Sequence, residues 1–319
     1  MTTYKHLFGP VPSRRFGRSL GVDLTPCKTC SFDCVFCQLG RTTNKTTTRR
    51  EYVPTGRVIE ELDDWLGSGS TADYITLSGS GEPTLHTEFG EVLKSIRTAG
   101  RIPAVLLTNG SMLHLPEVRN AASHADVVKV SLSAWDQFSF EHVNRPHESI
   151  KLRKVIEGLW SFRNQFKGEI WLEVFLVWGT NTVFSDVSRI AGIAKAIGPD
   201  RVQLNTAVRP PSEEYAFTTP KEDMHKLAEL FDPPAEVIPE FSAGPSDPAR
   251  TNEEEILAML KRRPCTPGDI AGVFSLHRNE ISKYVGKLMR EGLIREIRKD
   301  GGEVYYIGIL ERDISHADV

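Results

Sequence analysis

The sequence predicts an α/β protein, a partial (β/α)6 barrel followed by a smaller winged-helix domain. Three observations predict it. Short β-branched or apolar runs alternate with amphipathic stretches between residues 20 and 204, the texture breaks at Arg209-Pro210-Pro211-Ser212, and a three-helix pattern with a hairpin signal follows. Strand and helix in regular succession imply parallel strands joined by right-handed crossovers.

In chain order, strands are expected at residues 20–24, 74–77, 104–107, 127–132, 170–177 and 202–204. Helical periodicity covers residues 58–66, 89–99, 116–122, 150–166 and 186–197, where apolar residues recur every three to four positions. Six such units build an open barrel, in which an active site gathers at the C-terminal strand ends. One more helix, 221–230, leads into a Pro/Ala/Ser/Gly-rich stretch at 232–250 that reads as linker. Thr251-Asn252-Glu253-Glu254 caps a helix running to Arg262. Residues 266–274 and 278–291 supply two more helices, and runs at 294–298 and 304–309 flank the hairpin signal Lys299-Asp300-Gly301-Gly302. The expected divisions are 1–215 for the barrel, 216–250 for helix and linker, 251–310 for the winged helix and 311–319 for a tail.

Composition sets the class. Of 319 residues, 39% are hydrophobic and 25% charged, as in ordinary soluble domains. Lys and Arg number 39 against 42 Asp and Glu, a formal charge of −3, which argues against indiscriminate nucleic-acid binding. No apolar run approaches the roughly 18 residues of a membrane span. The opening MTTYKHLFGP has no apolar signal core, so a cytoplasmic protein without membrane contact is expected.

The cysteines carry the chemistry. Four of the five, Cys27, Cys30, Cys34 and Cys37, fall in one short segment, and Cys265 stands apart. That distribution suits metal ligation in a reducing compartment better than a disulfide framework. Cys30-Ser-Phe-Asp-Cys34-Val-Phe-Cys37 has a C-x3-C-x2-C spacing. Three thiolates on one loop hold three irons of a cubane cluster and leave the fourth iron open to an exogenous ligand. Zinc is the alternative: Cys27 would then complete C-x2-C-x3-C-x2-C. In the cluster reading Cys27 is a non-ligating thiol near the cluster mouth, and a candidate for a chemical role.

With Phe36 just before the third cysteine, this loop resembles the signature of the radical S-adenosylmethionine (SAM) superfamily. The resemblance implies a [4Fe–4S] cluster that cleaves SAM to methionine and a 5′-deoxyadenosyl radical, with an external electron donor such as flavodoxin or ferredoxin. Leu77-Ser78-Gly79-Ser80-Gly81-Glu82-Pro83-Thr84, directly after the second expected strand, resembles the family's GGEP motif, with Ser80 in place of its first glycine. The resemblance assigns Ser80, Gly81, Glu82 and Pro83 to the methionine ammonium. Asn109, Ser131 and Asn205 end later strands and are the further expected SAM contacts. FGPVPSRR, RSLGVDL, Gln38-Leu39-Gly40, Asn144-Arg145-Pro146 and Gln203-Leu-Asn-Thr with Arg209-Pro210-Pro211 resemble a branch of iron–sulfur oxidoreductases related to the tRNA wybutosine-synthesis radical enzyme, over residues 7–215.

The substrate is less legible. His277, Arg278, Lys283, Lys287 and Arg290 on the third terminal helix, with Arg295, Arg298 and Lys299 on the wing, suggest a DNA-reading geometry. From residue 250 onward, however, twelve Lys/Arg face twelve Asp/Glu, without the positive surplus that phosphate binding needs. Arg41, Lys45, Arg49 and Arg50 form either a solvated loop or, with Arg14, Arg15 and Arg18, a frame for an anionic substrate. The leading expectation is a radical SAM enzyme acting on a macromolecule, RNA or a peptide or protein. Its rivals are a glycyl-radical-enzyme activase and a cluster-bearing, DNA-binding redox regulator.

Overall fold

The computed structural model describes residues 4–238, 253–274, 276, 278–299 and 302–309. Two compact units emerge, one comprising Met1–Ala207 with Pro211–Pro239, the other Val208–Pro210 with Glu240–Val319. The helix and short strand after residue 215 therefore lie with the first unit. Thr251, Asn252, His277, Asp300, Gly301, residues 239–250 of the expected linker and the tail 311–319 lie outside the described residues.

The first unit opens with strands β1 (Leu7–Ser13) and β2 (Gly17–Val22), paired antiparallel. The two-residue strands β3 (Thr29–Cys30) and β4 (Asn44–Lys45) form a small parallel ladder of their own. Then come α1 (Thr55–Gly67), β5 (Tyr74–Leu77), α2 (Phe89–Ala99), β6 (Ala104–Thr108), α3 (Pro116–Ala122), β7 (Val127–Ser131) and α4 (Gln137–Val143). After them follow α5 (Leu152–Gln165), β8 (Glu169–Leu176), α6 (Phe184–Ile197), β9 (Arg201–Thr206), α7 (Lys221–Ala228) and β10 (Glu236–Val237). The main sheet runs β1-β2-β5-β6-β7-β8-β9-β10 and is parallel from β2 onward.

Several elements differ from expectation, among them the two-residue strands β3, β4 and β10, the last within the stretch read as linker. The first strand spans Gly17–Val22 rather than 20–24, and β1 precedes it. Gly9, Pro10 and Pro12 disguise β1 in the sequence, yet proline is tolerated there because β1 is the sheet edge. Helix α4 was also unexpected. It is only seven residues long, and a capping box between Asp136 and Ser139 sets its start rather than apolar periodicity.

Residue alternation divides the sheet's faces. Val128, Val130, Leu172, Val174 and Leu204 lie in the large core with Val58 and Leu62 of α1, Leu93 and Ile96 of α2, and Val187 and Ile190 of α6. The alternate residues line the other face. There Phe16, from the β1–β2 turn, stacks on Trp171 at 5.0 Å and meets Tyr74 edge-on at 5.3 Å, beside Val105 and Val127. Above this apolar layer the same face turns polar, with Ser19, Thr76, Lys129, Glu173, Gln203 and Asn205 all buried.

The second unit carries α8 (Glu253–Leu260), α9 (Pro267–Phe274), α10 (Arg278–Arg290) and the antiparallel pair β11 (Ile294–Arg298) and β12 (Val304–Gly308). Ile256, Leu260, Ile270, Ile281, Leu288 and Ile294 are buried. Cys265 is buried too, with its backbone paired to Tyr306, a structural position. Among the described residues, no helix is long and apolar enough to cross a membrane.

Packing in the first unit is tight at Gly158 of α5, where an added Cβ would lie 2.5 Å from the His114 nitrogen and 2.7 Å from the Leu113 carbonyl carbon. These are backbone atoms that cannot swing aside. Gly158→Ala is expected to cost about 1–3 kcal/mol, read as a lower urea midpoint at unchanged slope. Gly192→Ala, in open space on α6, should instead stabilise by roughly 0.5–1 kcal/mol.

Candidate functional site

The cysteine loop leaves β2 and folds back on the end of β5. Lys28, with a positive φ of 61°, donates its backbone N–H to the Ser80 carbonyl at 2.6 Å. The Glu82 N–H donates to the Thr29 carbonyl at 3.1 Å. Between these bonds sits Gly81, where a Cβ would fall 1.8 Å from the Thr29 oxygen. Only glycine permits that approach. Ser80 is held from the other side, its hydroxyl donating to Asp23 Oδ2 at 2.5 Å.

The outer half of the loop is clamped by two distant segments. His147 N–H reaches the Ser31 carbonyl at 2.8 Å, Asp33 N–H reaches the Asn144 carbonyl at 3.1 Å, and Val35 N–H reaches the Val143 carbonyl at 3.0 Å. Ser212 donates its hydroxyl to the Cys34 and Val35 carbonyls at 2.8 Å each. Arg145 ties the two clamps, contacting Glu213 at 2.6 Å, the Tyr215 hydroxyl at 2.8 Å and Asp33 at 3.8 Å. The Asn144-Arg145-Pro146 signature thus has a mechanical role. Phe36 lies flat on Phe175, ring centroids 3.9 Å apart.

Each of the three motif sulfurs meets a nitrogen donor. Cys30 Sγ accepts from Phe32 N–H at 3.5 Å and lies 3.6 Å from Asn109 Nδ2. Cys34 Sγ accepts from Asn144 Nδ2 at 3.5 Å, and Cys37 Sγ from the buried Lys28 Nζ at 3.4 Å. Lys28 Nζ also bonds the Gly40 carbonyl. Burial pushes the Cys30 thiol up to about 12, with the Glu82 charge adding to it. Burial and then Cys30 raise Cys34 as well. All five cysteines are free thiols. Among the described residues, no three Cys, His, Asp or Glu side chains close on a single ion. Three half-buried thiols with fixed nitrogen donors suit an iron–sulfur centre, whose sulfurs such donors tune.

Glu82 is only 2% exposed. Its Oε1 accepts from the Thr84 hydroxyl at 2.5 Å, the Thr108 hydroxyl at 2.6 Å and the Thr84 N–H at 3.1 Å. Its Oε2 accepts from the Asn109 N–H at 2.7 Å. Burial pushes the carboxyl above its ordinary range, against the pull of these donors. Asn109 reaches the cysteine loop through Nδ2, 2.8 Å from Ser31 Oγ. The structure therefore brings together Cys30, Cys34, Cys37, Ser80, Gly81, Glu82 and Asn109. Ser131 ends β7, partly exposed. Asn205 is drawn elsewhere, donating to Glu173 at 2.9 Å and accepting from Arg14 at 3.1 Å.

The sequence reading missed Lys28, Asp23 and Glu173, and it overlooked Lys129 as a functional side chain. Glu173 accepts from Arg15, Lys129 and Asn205. Burial pushes its carboxyl up, but Arg15 and then Lys129 outweigh that and hold it at about 2. Burial, then the Arg15 charge, lowers Lys129 to about 8 despite Glu173. The other basic residues expected near the site are used locally. Arg41 pairs with Glu213 at 2.7 Å, Arg49 donates to the Thr84 carbonyl at 3.0 Å and Arg50 covers the Tyr52 ring at 4.7 Å.

Comparison with known proteins identifies what this chain resembles. The sequence profile of the radical SAM superfamily matches residues 24–181. A UPF0026 protein from Methanocaldococcus jannaschii is 32% identical over 96% of this chain and 97% of its own length. A protein named GTPase Obg from Brachyspira hyodysenteriae is 37% identical over 96% of the chain, which spans only 45% of that relative. Among solved structures, a radical SAM methyltransferase from Sphaerobacter thermophilus superposes with a TM-score of 0.49 at 16% identity, covering 71% of this chain and 67% of that one.

The Glu173 network makes acid stability testable. An unfolded glutamate titrates near 4.5 and the folded one at about 2, so its stabilisation is present above pH 4.5 and lost as pH falls toward 2. Glu173→Gln should flatten that part of the stability–pH profile in urea titrations. An unchanged slope would show that Glu173 is not held low.

Proposed function

We propose that this chain, which belongs to the UPF0026 family and to the radical SAM superfamily, is an enzyme that cleaves SAM reductively to modify a macromolecule, RNA or a peptide or protein. The superfamily's cofactors are a [4Fe–4S] cluster and SAM. One observation carries the reading: three half-buried thiols on one loop, each met by a nitrogen donor, with the loop packed against the Gly81–Glu82 strand end. Cys30, Cys34 and Cys37 would hold three irons. When bound, the cluster supplies one electron, taken from an external flavodoxin or ferredoxin, that splits SAM into methionine and a 5′-deoxyadenosyl radical.

The chain's own residues orient this chemistry. Backbone groups of Ser80, Gly81 and Pro83, with the Glu82 carboxylate fixed by Thr84, Thr108 and Asn109, receive the methionine ammonium. Asn109 and Ser131 address the ribose or carboxylate of SAM. Asn205, engaged with Glu173 and Arg14, belongs toward the substrate. Lys28 places a cation beside Cys37, which favours the reduced state. Cys27 stays outside the ligand set.

We read the main sheet as the partial (β/α)6 barrel and the second unit as a winged helix, in a cytoplasmic protein. In that unit Lys287 is paired with Glu253 at 2.7 Å and with Glu291 at 3.7 Å, and Arg298 with Glu296 at 2.8 Å. Part of the expected basic surface is thereby neutralised, which favours a peptide or protein over RNA for this unit.

Anaerobic reconstitution followed by SAM and dithionite should yield 5′-deoxyadenosine and a cubane absorption spectrum; absence of both would overturn the reading. Ala at Cys30, Cys34 or Cys37 should abolish the cluster, whereas Cys27→Ala should retain it. Lys28→Met should retain bound iron yet lower the cluster's midpoint potential, measured by redox titration, with Lys28→Arg close to the wild type.

A further inference from the structure

The strand end assigned to the methionine ammonium departs from the GGEP pattern at one position, Ser80. Val22 of β2 stands opposite Leu77 of β5, so Asp23, the next residue, meets the turn that leaves β5. The Ser80 hydroxyl donates to Asp23 Oδ2 at 2.5 Å, and the Ser80 N–H nitrogen lies 3.2 Å from each carboxylate oxygen. Asp23 Oδ1 also accepts from the Thr25 N–H at 3.4 Å. The Asp23 N–H in turn donates to the His6 carbonyl at 2.9 Å. Gly79, with a φ of 141°, makes room for the carboxylate, since a Cβ there would lie 2.5 Å from Asp23 Cγ. The acid is 9% exposed and wrapped by the turn it holds.

Both donors of Ser80 are thereby committed to one acid, and its carbonyl accepts from the Lys28 N–H at 2.6 Å. A loose serine behaves differently. Its hydroxyl samples three staggered positions and competes for nearby backbone acceptors. At this strand end those acceptors are the ones assigned to the ammonium. Glycine, with no hydroxyl, raises no such competition. Serine does, and Asp23 removes it by taking the proton in a short charge-assisted bond. Seating the cysteine loop does not fall to Asp23. That loop is held by the Lys28–Ser80 and Glu82–Thr29 backbone bonds and, on its outer side, by His147, Asn144 and Ser212.

We propose that Asp23 is a positioning residue for SAM, offsetting the serine at the motif's first glycine by keeping both Ser80 donors from the ammonium's acceptors. The assignment deepens the reading of this strand end as a SAM site and rests on it. Asp23 acts through Ser80.

The test is SAM affinity, measured by equilibrium dialysis on the anaerobically reconstituted full-length protein, with iron content determined alongside. Asp23→Asn keeps the side chain's shape but leaves one acceptor oxygen for two Ser80 donors. It should retain the iron of the wild type and weaken SAM binding at least about tenfold, or 1.4 kcal/mol. Within the Ser80→Gly background, where no hydroxyl competes, the same change should weaken binding by less than about threefold. Unchanged affinity in Asp23→Asn would overturn the role, as would equal losses in the two backgrounds. Loss of iron together with SAM binding would also overturn it, making Asp23 part of the loop's own fold. The wild type separates this role from the enzymatic reading. SAM binding that follows the expected pattern without 5′-deoxyadenosine formation would overturn that reading and leave the role of Asp23 standing. A wild type that binds no SAM would overturn both.

Discussion

The site depends on one close approach, the backbone of Lys28 and Thr29 against that of Ser80, Gly81 and Glu82. Two hydrogen bonds and the absence of a Cβ at Gly81 bring the cysteine loop onto the end of β5. From that seam the other contacts follow. Glu82, anchored to the loop through Thr29, receives Asn109 from the next strand. Asn109 then reaches back to Ser31 and the Cys30 sulfur. Loop, acid and amide form a closed circuit, so none of the three is set independently.

Much of this was legible in the sequence because it is local. Strand β5 appears within its expected bounds, as do α2 and α3, since apolar periodicity and turn residues define them. The cysteine spacing and the Ser80–Pro83 run announce chemistry in short stretches. The rest is non-local. Glu173 meets Arg15 across 158 positions and Lys129 across 44, and no window of sequence contains such a set. β1 was hidden by its prolines, which usually argue against a strand and are tolerated only at an edge.

The same distinction separates the charges. Arg41, Lys45, Arg49 and Arg50 look like an anion frame in sequence, yet the fold turns Arg41 to Glu213, Lys45 to the Arg145 carbonyl and Arg49 to the Thr84 carbonyl. Arg14 and Arg15, less conspicuous in a turn, are the ones directed inward. Charge number alone did not distinguish them; position relative to the sheet's polar face did.

That inward turn has a consequence for biogenesis. Arg14 is bonded to a residue 191 positions later. During vectorial synthesis the hairpin that carries it emerges before β9 and must wait for that contact while every intervening crossover is made. Loop-closure entropy makes such long-range pairings late events in folding. The β1–β2 hairpin, made before the strand it meets, is thus among the last segments to find its place, and the polar interior stays unfinished until β9 arrives.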